Sequence, residues 1–215
     1  MRFRDRRDAG RQLAAQLTEY ANRSDVVVLA LPRGGVPVAA EVAAHLHAPL
    51  DVFLVRKLGV PGHPELAMGA IAADDVQVLS HDLIADLGIP AALVEQTAVR
   101  ERLELERRDR LFRGEREPPA VRGRTVILVD DGLATGSTME AAIIALRKSQ
   151  PASIVVAVPV GARETCERLS RFADRVICLA MPEPFSAVGQ WYEDFSQTTD
   201  EEVREALTSS PAPPH

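Results

Sequence analysis

Between residues 125 and 138 the chain reads TVILVDDGLATGST. Two adjacent carboxylates, Asp130 and Asp131, are followed by Gly132, Leu133, Ala134, Thr135, Gly136, Ser137 and Thr138. A loop of small and hydroxylated residues can turn several backbone N–H groups toward an anion, and a helix starting just after it adds the positive end of its dipole. Small residues also let the backbone approach a ligand closely. Bare carboxylates would repel a phosphate, so the acid pair makes sense as a holder of sugar hydroxyls or of Mg²⁺, which takes carboxylate, water and phosphate oxygens. An acid that merely caps a helix needs neither a second carboxylate nor the Thr-Gly-Ser-Thr run. A Walker A loop is excluded, because no Gly-Lys-Ser/Thr follows the glycines.

The elements around this stretch set its position. Residues 125–129 are apolar and β-branched and predict a buried parallel strand; 139–147 predict the following helix. The same arrangement occurs earlier. A strand over 25–32 leads into Arg33, Gly34 and Gly35, then a helix over 36–46, which makes a second anion loop with a cation that can fork onto phosphate. A strand over 51–57 ends in Arg56 and Lys57, at the edge where open α/β sheets bind ligands. From 58 to about 67 the glycines and prolines predict a long irregular loop carrying His63 and Glu65. A strand near 68–72 and another at 76–80 form a hairpin through Asp74 and Asp75. The remaining expectations are helices over 5–22, 90–113 and 162–172 and strands over 152–160 and 175–179. The β–α–β alternation predicts an α/β fold with a mostly parallel sheet flanked by helices. In the N-terminal helix, Arg2, Arg4, Arg6 and Arg7 read as a solvated face. On helix 90–113, Leu103, Arg107 and Leu111 share a side, with Val99 and Phe112 as neighbours, and the helix reads as a surface or dimer contact.

Residues 126–138 resemble the PRPP-binding motif of the type I phosphoribosyltransferases, where PRPP is phosphoribosyl pyrophosphate. The Asp-Asp-Gly-Leu-Ala-Thr-Gly order is nearest to the adenine enzymes. The 6-oxopurine enzymes carry an Asp where Ala134 stands, so the resemblance implies an acceptor other than a 6-oxopurine. It implies transfer of the 5-phosphoribosyl group from PRPP to a nitrogen, of nucleobase class, with Mg²⁺ and release of pyrophosphate. By residue, it implies that Asp130 and Asp131 hold the ribose hydroxyls and the metal, and that Gly132, Leu133, Ala134, Thr135, Gly136, Ser137 and Thr138 hold the 5-phosphate. Arg33, Gly34, Gly35 and Arg56 fall where the pyrophosphate binds, in a loop that often has an unusual peptide geometry. Lys57 and Glu65 are the catalytic candidates on a flexible loop, about 57–70, that closes over PRPP; His63 reads as solvated. A small hood from about 181 to 208 covers the base, with Phe185 as the stacking candidate, while Trp191 and Phe195 read as core glue. The alternative within the family is a PRPP-binding regulator or sensor without turnover. Family members are commonly oligomeric, which implies a homodimer.

Composition bounds the rest. The 215 residues predict a single domain over 1–208 with a disordered tail over 209–215. Hydrophobic residues make up 46% and charged residues 26%, enough for a core and a soluble surface. A formal net charge of −6 argues against nucleic acid as a partner. No apolar run reaches the length of a membrane span, and the charged start lacks a signal core. The two cysteines, Cys166 and Cys178, fit no metal spacing and point to a reducing compartment, so the expected location is the cytoplasm.

Overall fold

The structure, a computed structural model, describes residues 2–60, 62–72, 76–114 and 116–210, without the side chains of Pro64 and Glu65. In chain order its elements are α1 (Arg6–Ala14), β1 (Val26–Ala30), α2 (Gly35–Leu46), β2 (Leu50–Val52), β3 (Val55–Val60), β4 (His63–Ala72), β5 (Gln77–Leu79), α3 (His81–Asp86) and α4 (Ala91–Arg113). There follow β6 (Thr125–Val129), α5 (Ser137–Lys148), β7 (Ser153–Val160), α6 (Arg163–Leu169), β8 (Arg175–Ala180) and α7 (Asp200–Ser209), with short 3₁₀ turns at Thr18–Tyr20 and Val188–Trp191.

The main sheet is parallel throughout, in the order β2-β1-β6-β7-β8. Its strands are apolar on both faces because helices cover both. Along β1 the burial alternates: Val26, Val28 and Ala30 join one core cluster with α2 and α4, while Val27 and Leu29 join another with α5 and α6. Counted in chain order, these strands follow the doubly wound pattern in which the direction of winding reverses between β1 and β6. In such sheets the crevice beyond the strand C-termini at the reversal is where ligands bind. Both anion loops read from the sequence leave the sheet there, one from β1 and one from β6.

Several boundaries differ from the sequence expectation. The first helix stops at Ala14, and Leu17 and Tyr20 instead reach the core through the 3₁₀ turn. The strand expected over 51–57 breaks at Phe53 and Leu54, so Arg56 and Lys57 belong to β3 of a separate antiparallel sheet, β3-β4-β5. The irregular loop expected after Lys57 is a β-hairpin: β4 begins at His63, and a register shift around Gly59 absorbs the irregularity. Its apolar positions Leu58, Val60, Met68 and Ile71 are buried against α4 and the main core, a signal that the intervening Gly and Pro residues obscured. The turn assigned to Asp74 and Asp75 lies outside the described residues, although β4 and β5 pair as expected. Helix α3 was not foreseen.

On α4 the buried positions are Val94, Thr97, Ala98, Leu105, Phe112 and Arg113, whereas Leu103 is 61% exposed. Leu111 packs partly buried on the core beside buried Phe112, so the expected Leu103–Arg107–Leu111 side meets the core at its C-terminal end and leaves it at Leu103. Helix α7 runs through Ser209, and residues 211–215 lie outside the described residues. Among the described residues, no helix is long and apolar enough to cross a membrane.

Candidate active site

The acid pair stands at the end of β6, whose five residues are all buried. The Asp131 backbone N–H donates to Asp130 Oδ1 at 2.8 Å. The β1 loop packs directly against the pair: a Cβ placed on Gly34 would lie 2.1 Å from Asp131 Oδ2, and one on Gly35 would lie 2.7 Å from the Val129 carbonyl oxygen. The two glycines therefore let two anion loops share one crevice. The peptide between Pro32 and Arg33 is cis, in the loop for which an unusual peptide was expected. Arg33 Nη1 reaches Asp200 Oδ1 at 3.4 Å, at the start of α7.

The loop after the acids is fixed from behind. The Leu133 N–H donates to the Val160 carbonyl, and the Leu133 carbonyl accepts from the Ala162 N–H, both at 2.9 Å, so buried Leu133 anchors the loop to the end of β7. Thr165 Oγ1 donates to the Ala134 carbonyl at 2.7 Å, and the Arg168 guanidinium donates to the Thr135 carbonyl. In a planar trans peptide the N–H points opposite to the C=O. With those two carbonyls turned toward α6, the N–H groups of Thr135 and Gly136 point the other way. Gly136, at φ +66°, begins α5 without a side-chain cap. The first N–H groups of α5 have no partner within the helix and face an anion favourably. Lys57 Nζ donates to Ser137 Oγ at 3.0 Å, and Thr135 Oγ1 lies 3.3 Å from the same hydroxyl. The small antiparallel sheet thus delivers a cation to the loop.

The chain termini also reach the site. Arg6 Nε donates to Asp131 Oδ2 at 2.8 Å, and its side chain is only 12% exposed. Tyr192 Oη donates to the Asp131 carbonyl at 2.6 Å. The solvated-face reading of the N-terminal arginines is therefore corrected for Arg6. Burial pushes the Asp130 carboxyl well above the usual carboxylate range, and the neighbouring Asp131 adds to the shift. Burial also raises Asp131, with Arg6 opposing it. The Tyr192 phenol is pushed up by burial and by the charge of Asp131.

Other candidates are placed differently. Arg56 Nε and Nη2 hold Glu101 Oε2 of α4 at 2.9 and 2.6 Å, beside a cavity of about 680 Å³ between β3 and α4, and Arg56 also lines a smaller cavity with Pro32 of the β1 loop and Thr138 at the start of α5. Phe185 is half-buried against the cluster of Phe3, Val160 and Tyr192, whereas Phe195, expected to be glue, is 38% exposed and lies under Arg6. Glu65 falls in β4, but its side chain lies outside the described residues. Thr165, Arg168 and Tyr192 were not foreseen as site residues. They sit far from the motif in sequence, and nothing local marks them.

The model of the phosphoribosyl transferase domain family matches residues 4–191, a span that includes both anion loops, the acid pair and Arg6. The chain belongs to the phosphoribosyl transferase family. The Mycobacterium tuberculosis protein Rv0571c, which carries the same family name, is 49% identical over 201 residues, covering 94% of this chain and 45% of the relative. The chain thus spans about half the length of that curated relative. The crystal structure of the protein TT1426 from Thermus thermophilus is 46% identical and superposes with a TM-score of 0.88, covering 96% of this chain and 98% of that one. The bifunctional protein PyrR of Haemophilus ducreyi is 30% identical over 132 residues, covering 60% of this chain and 73% of the relative. The family and the parallel sheet flanked by helices are as the sequence motif implied, and the chain also carries the separate β3-β4-β5 sheet.

Proposed function

We propose that the chain transfers the 5-phosphoribosyl group from PRPP to a nitrogen of a nucleobase-class acceptor and releases pyrophosphate. The observation that carries this reading is the meeting of the acid pair with two glycine anion loops at the β1/β6 reversal, with Gly34 against Asp131. Two anion loops flanking one acid pair suit one ligand that is phosphorylated at both ends with a ribose between. Asp130 and Asp131 would accept hydrogen bonds from the ribose hydroxyls. The outward N–H groups of Thr135 and Gly136, the start of α5 and the hydroxyls of Ser137 and Thr138 would hold the 5-phosphate. Leu133 would serve as the anchor of that loop. Arg33, Gly34 and Gly35 would meet the pyrophosphate.

In the reaction the bond from C1 of the ribose to the pyrophosphate oxygen breaks, the bond from C1 to the acceptor nitrogen forms, and that nitrogen loses its proton. Charge leaves with the pyrophosphate, so a fixed cation near it and exclusion of water lower the barrier. Lys57, which rests on Ser137 of the 5-phosphate loop, is the proposed cation that moves to the pyrophosphate when PRPP binds, and Glu65 the proposed acceptor of the proton.

The donor set fits Mg²⁺. Among the described residues no group of three or more His, Cys, Asp or Glu side chains could hold a metal alone. An acid pair with one oxygen of each side chain already engaged by the protein leaves the other two for the ribose hydroxyls and, through water, for an ion shared with substrate phosphates, which suits Mg²⁺ because it keeps several waters. When bound, the ion would neutralise charge on the departing pyrophosphate.

The test is pyrophosphate release from PRPP and Mg²⁺ with purines, pyrimidines and nicotinate-like acceptors. Turnover with one of them is expected, and Ala134 predicts hypoxanthine and guanine to be poor. Tight PRPP binding with no release across the panel would favour a sensor over a transferase.

A further inference from the structure

Asp131 is held at three points. Its N–H goes to Asp130, its carbonyl takes the Tyr192 hydroxyl, and its Oδ2 takes Arg6 Nε. Arg6 is itself fixed. Its Nη1 donates to the Ser196 carbonyl at 2.7 Å, and its guanidinium carbon lies 4.0 Å from the centre of the Phe195 ring and 6.0 Å from that of Tyr192. A guanidinium stacked on an aromatic face and hydrogen-bonded at two edges has little freedom left. The segment that carries it is equally fixed. Phe3 is fully buried, its ring 5.5 Å from that of Tyr192. Backbone bonds of 2.8 Å run from the Phe3 N–H to Trp191 and from the N–H groups of Glu193 and Asp194 to Phe3 and Arg4. The N-terminal helix and the 191–196 segment therefore form one unit that touches the reaction centre through a single charged side chain.

We propose that Arg6 is the positioning residue of the site: it offsets and orients Asp131 through Oδ2, so that Oδ1 is presented to a ribose hydroxyl. This rests on the PRPP reading above and extends it to a residue outside both anion loops. Arg6 is tied back to Ser196 and Phe195, so it acts through Asp131 and leaves the 5-phosphate to the β6–α5 loop. Removing it should weaken ligands that carry the ribose and spare those that are only phosphate.

The experiment titrates wild type, Arg6→Ala and Arg6→Lys with ribose 5-phosphate, PRPP–Mg²⁺ and inorganic phosphate by calorimetry. Loss of a hydrogen bond to a buried charge predicts that Arg6→Ala binds ribose 5-phosphate and PRPP roughly ten- to a hundredfold more weakly. Inorganic phosphate should change by less than about twofold, because the N–H groups that hold it are untouched. Arg6→Lys keeps the charge but loses the fork and the stack, and should fall between. Millimolar guanidinium, against sodium chloride of equal strength, should restore ribose 5-phosphate binding to Arg6→Ala. A general loosening of the fold would instead weaken all three ligands together and resist rescue, and would overturn the proposal. So would Arg6→Ala binding ribose 5-phosphate as well as or better than wild type, since Arg6 would then be idle or a competitor. Should Arg6→Ala fail to fold, Phe195→Leu keeps Arg6 and removes its stack. It should reproduce the selective loss in smaller measure, and equal affinities would overturn the proposal. If wild type binds neither ribose 5-phosphate nor PRPP, the PRPP reading itself fails, and with it this extension.

Discussion

Replacing Gly136 by Ala tests the phosphate loop with one methyl group. Two costs can be worked from the structure. Gly136 sits at φ +66°, in the left-handed region that costs an L-residue about 1–2 kcal/mol. The new Cβ would also lie 2.4 Å from Thr165 Cγ2, where ordinary contact begins at 3.4 Å. Thr165 cannot simply rotate away, because its hydroxyl holds the Ala134 carbonyl. Breaking that bond costs about 1 kcal/mol more. Gly136→Ala should therefore lose about 2–3 kcal/mol in urea unfolding, and inorganic phosphate binding should weaken with the displaced loop. The double variant Gly136→Ala, Thr165→Ser deletes the clashing methyl group and keeps the hydroxyl. It should recover the steric part, with the left-handed backbone cost remaining. If Gly136→Ala is neutral in both assays, or if Thr165→Ser recovers nothing, the account of how α6 shapes this loop is wrong.

Three further outcomes are expected. Asp51 is fully buried, and Arg113 donates to it at 3.0 Å from a side chain 2% exposed; Asp51→Ala should cost about 1.5–3 kcal/mol in chemical denaturation by removing a hydrogen bond to a charged group, the guanidinium keeping Asp109 and the Val52 carbonyl. Thr199 and Glu202 close a reciprocal cap at the start of α7, so Thr199→Ala should lower stability by about 1 kcal/mol in the same assay. Lys57→Met removes the cation beside Ser137; pyrophosphate release should slow much more than PRPP affinity falls, as rapid kinetics can separate.

The acid pair and its loop were legible because everything they need is contiguous: strand, acids, small residues and helix follow one another within residues 125–148. The second anion loop was legible for the same reason. The parallel sheet followed from the strand–helix alternation, but its strand order, and with it the crevice between β1 and β6, is visible only in the fold. Arg6 was not legible. It is one of four arginines in six residues, and nothing local separates it from its solvated neighbours; only the fold brings it across to Asp131. Thr165, Arg168 and Tyr192 act through backbone carbonyls of distant residues, and such contacts leave no mark in residue type. The hairpin of β3 and β4 was hidden because Gly59, Gly62 and Pro64 punctuate it like a loop. Arg56 was legible as a cation, but its partner was not: it pairs with Glu101, which no spacing connects to it.

The central claim is that one crevice binds PRPP with its ribose on the acid pair. The most direct measurement is a calorimetric titration of PRPP–Mg²⁺ into wild type and into the Asp130→Asn, Asp131→Asn double variant, with inorganic phosphate as the reference ligand. The account predicts saturable binding by wild type and a loss of roughly tenfold or more in the variant, since hydrogen bonds to charged groups disappear, while inorganic phosphate binds both alike. Equal PRPP affinities in the two proteins would contradict it.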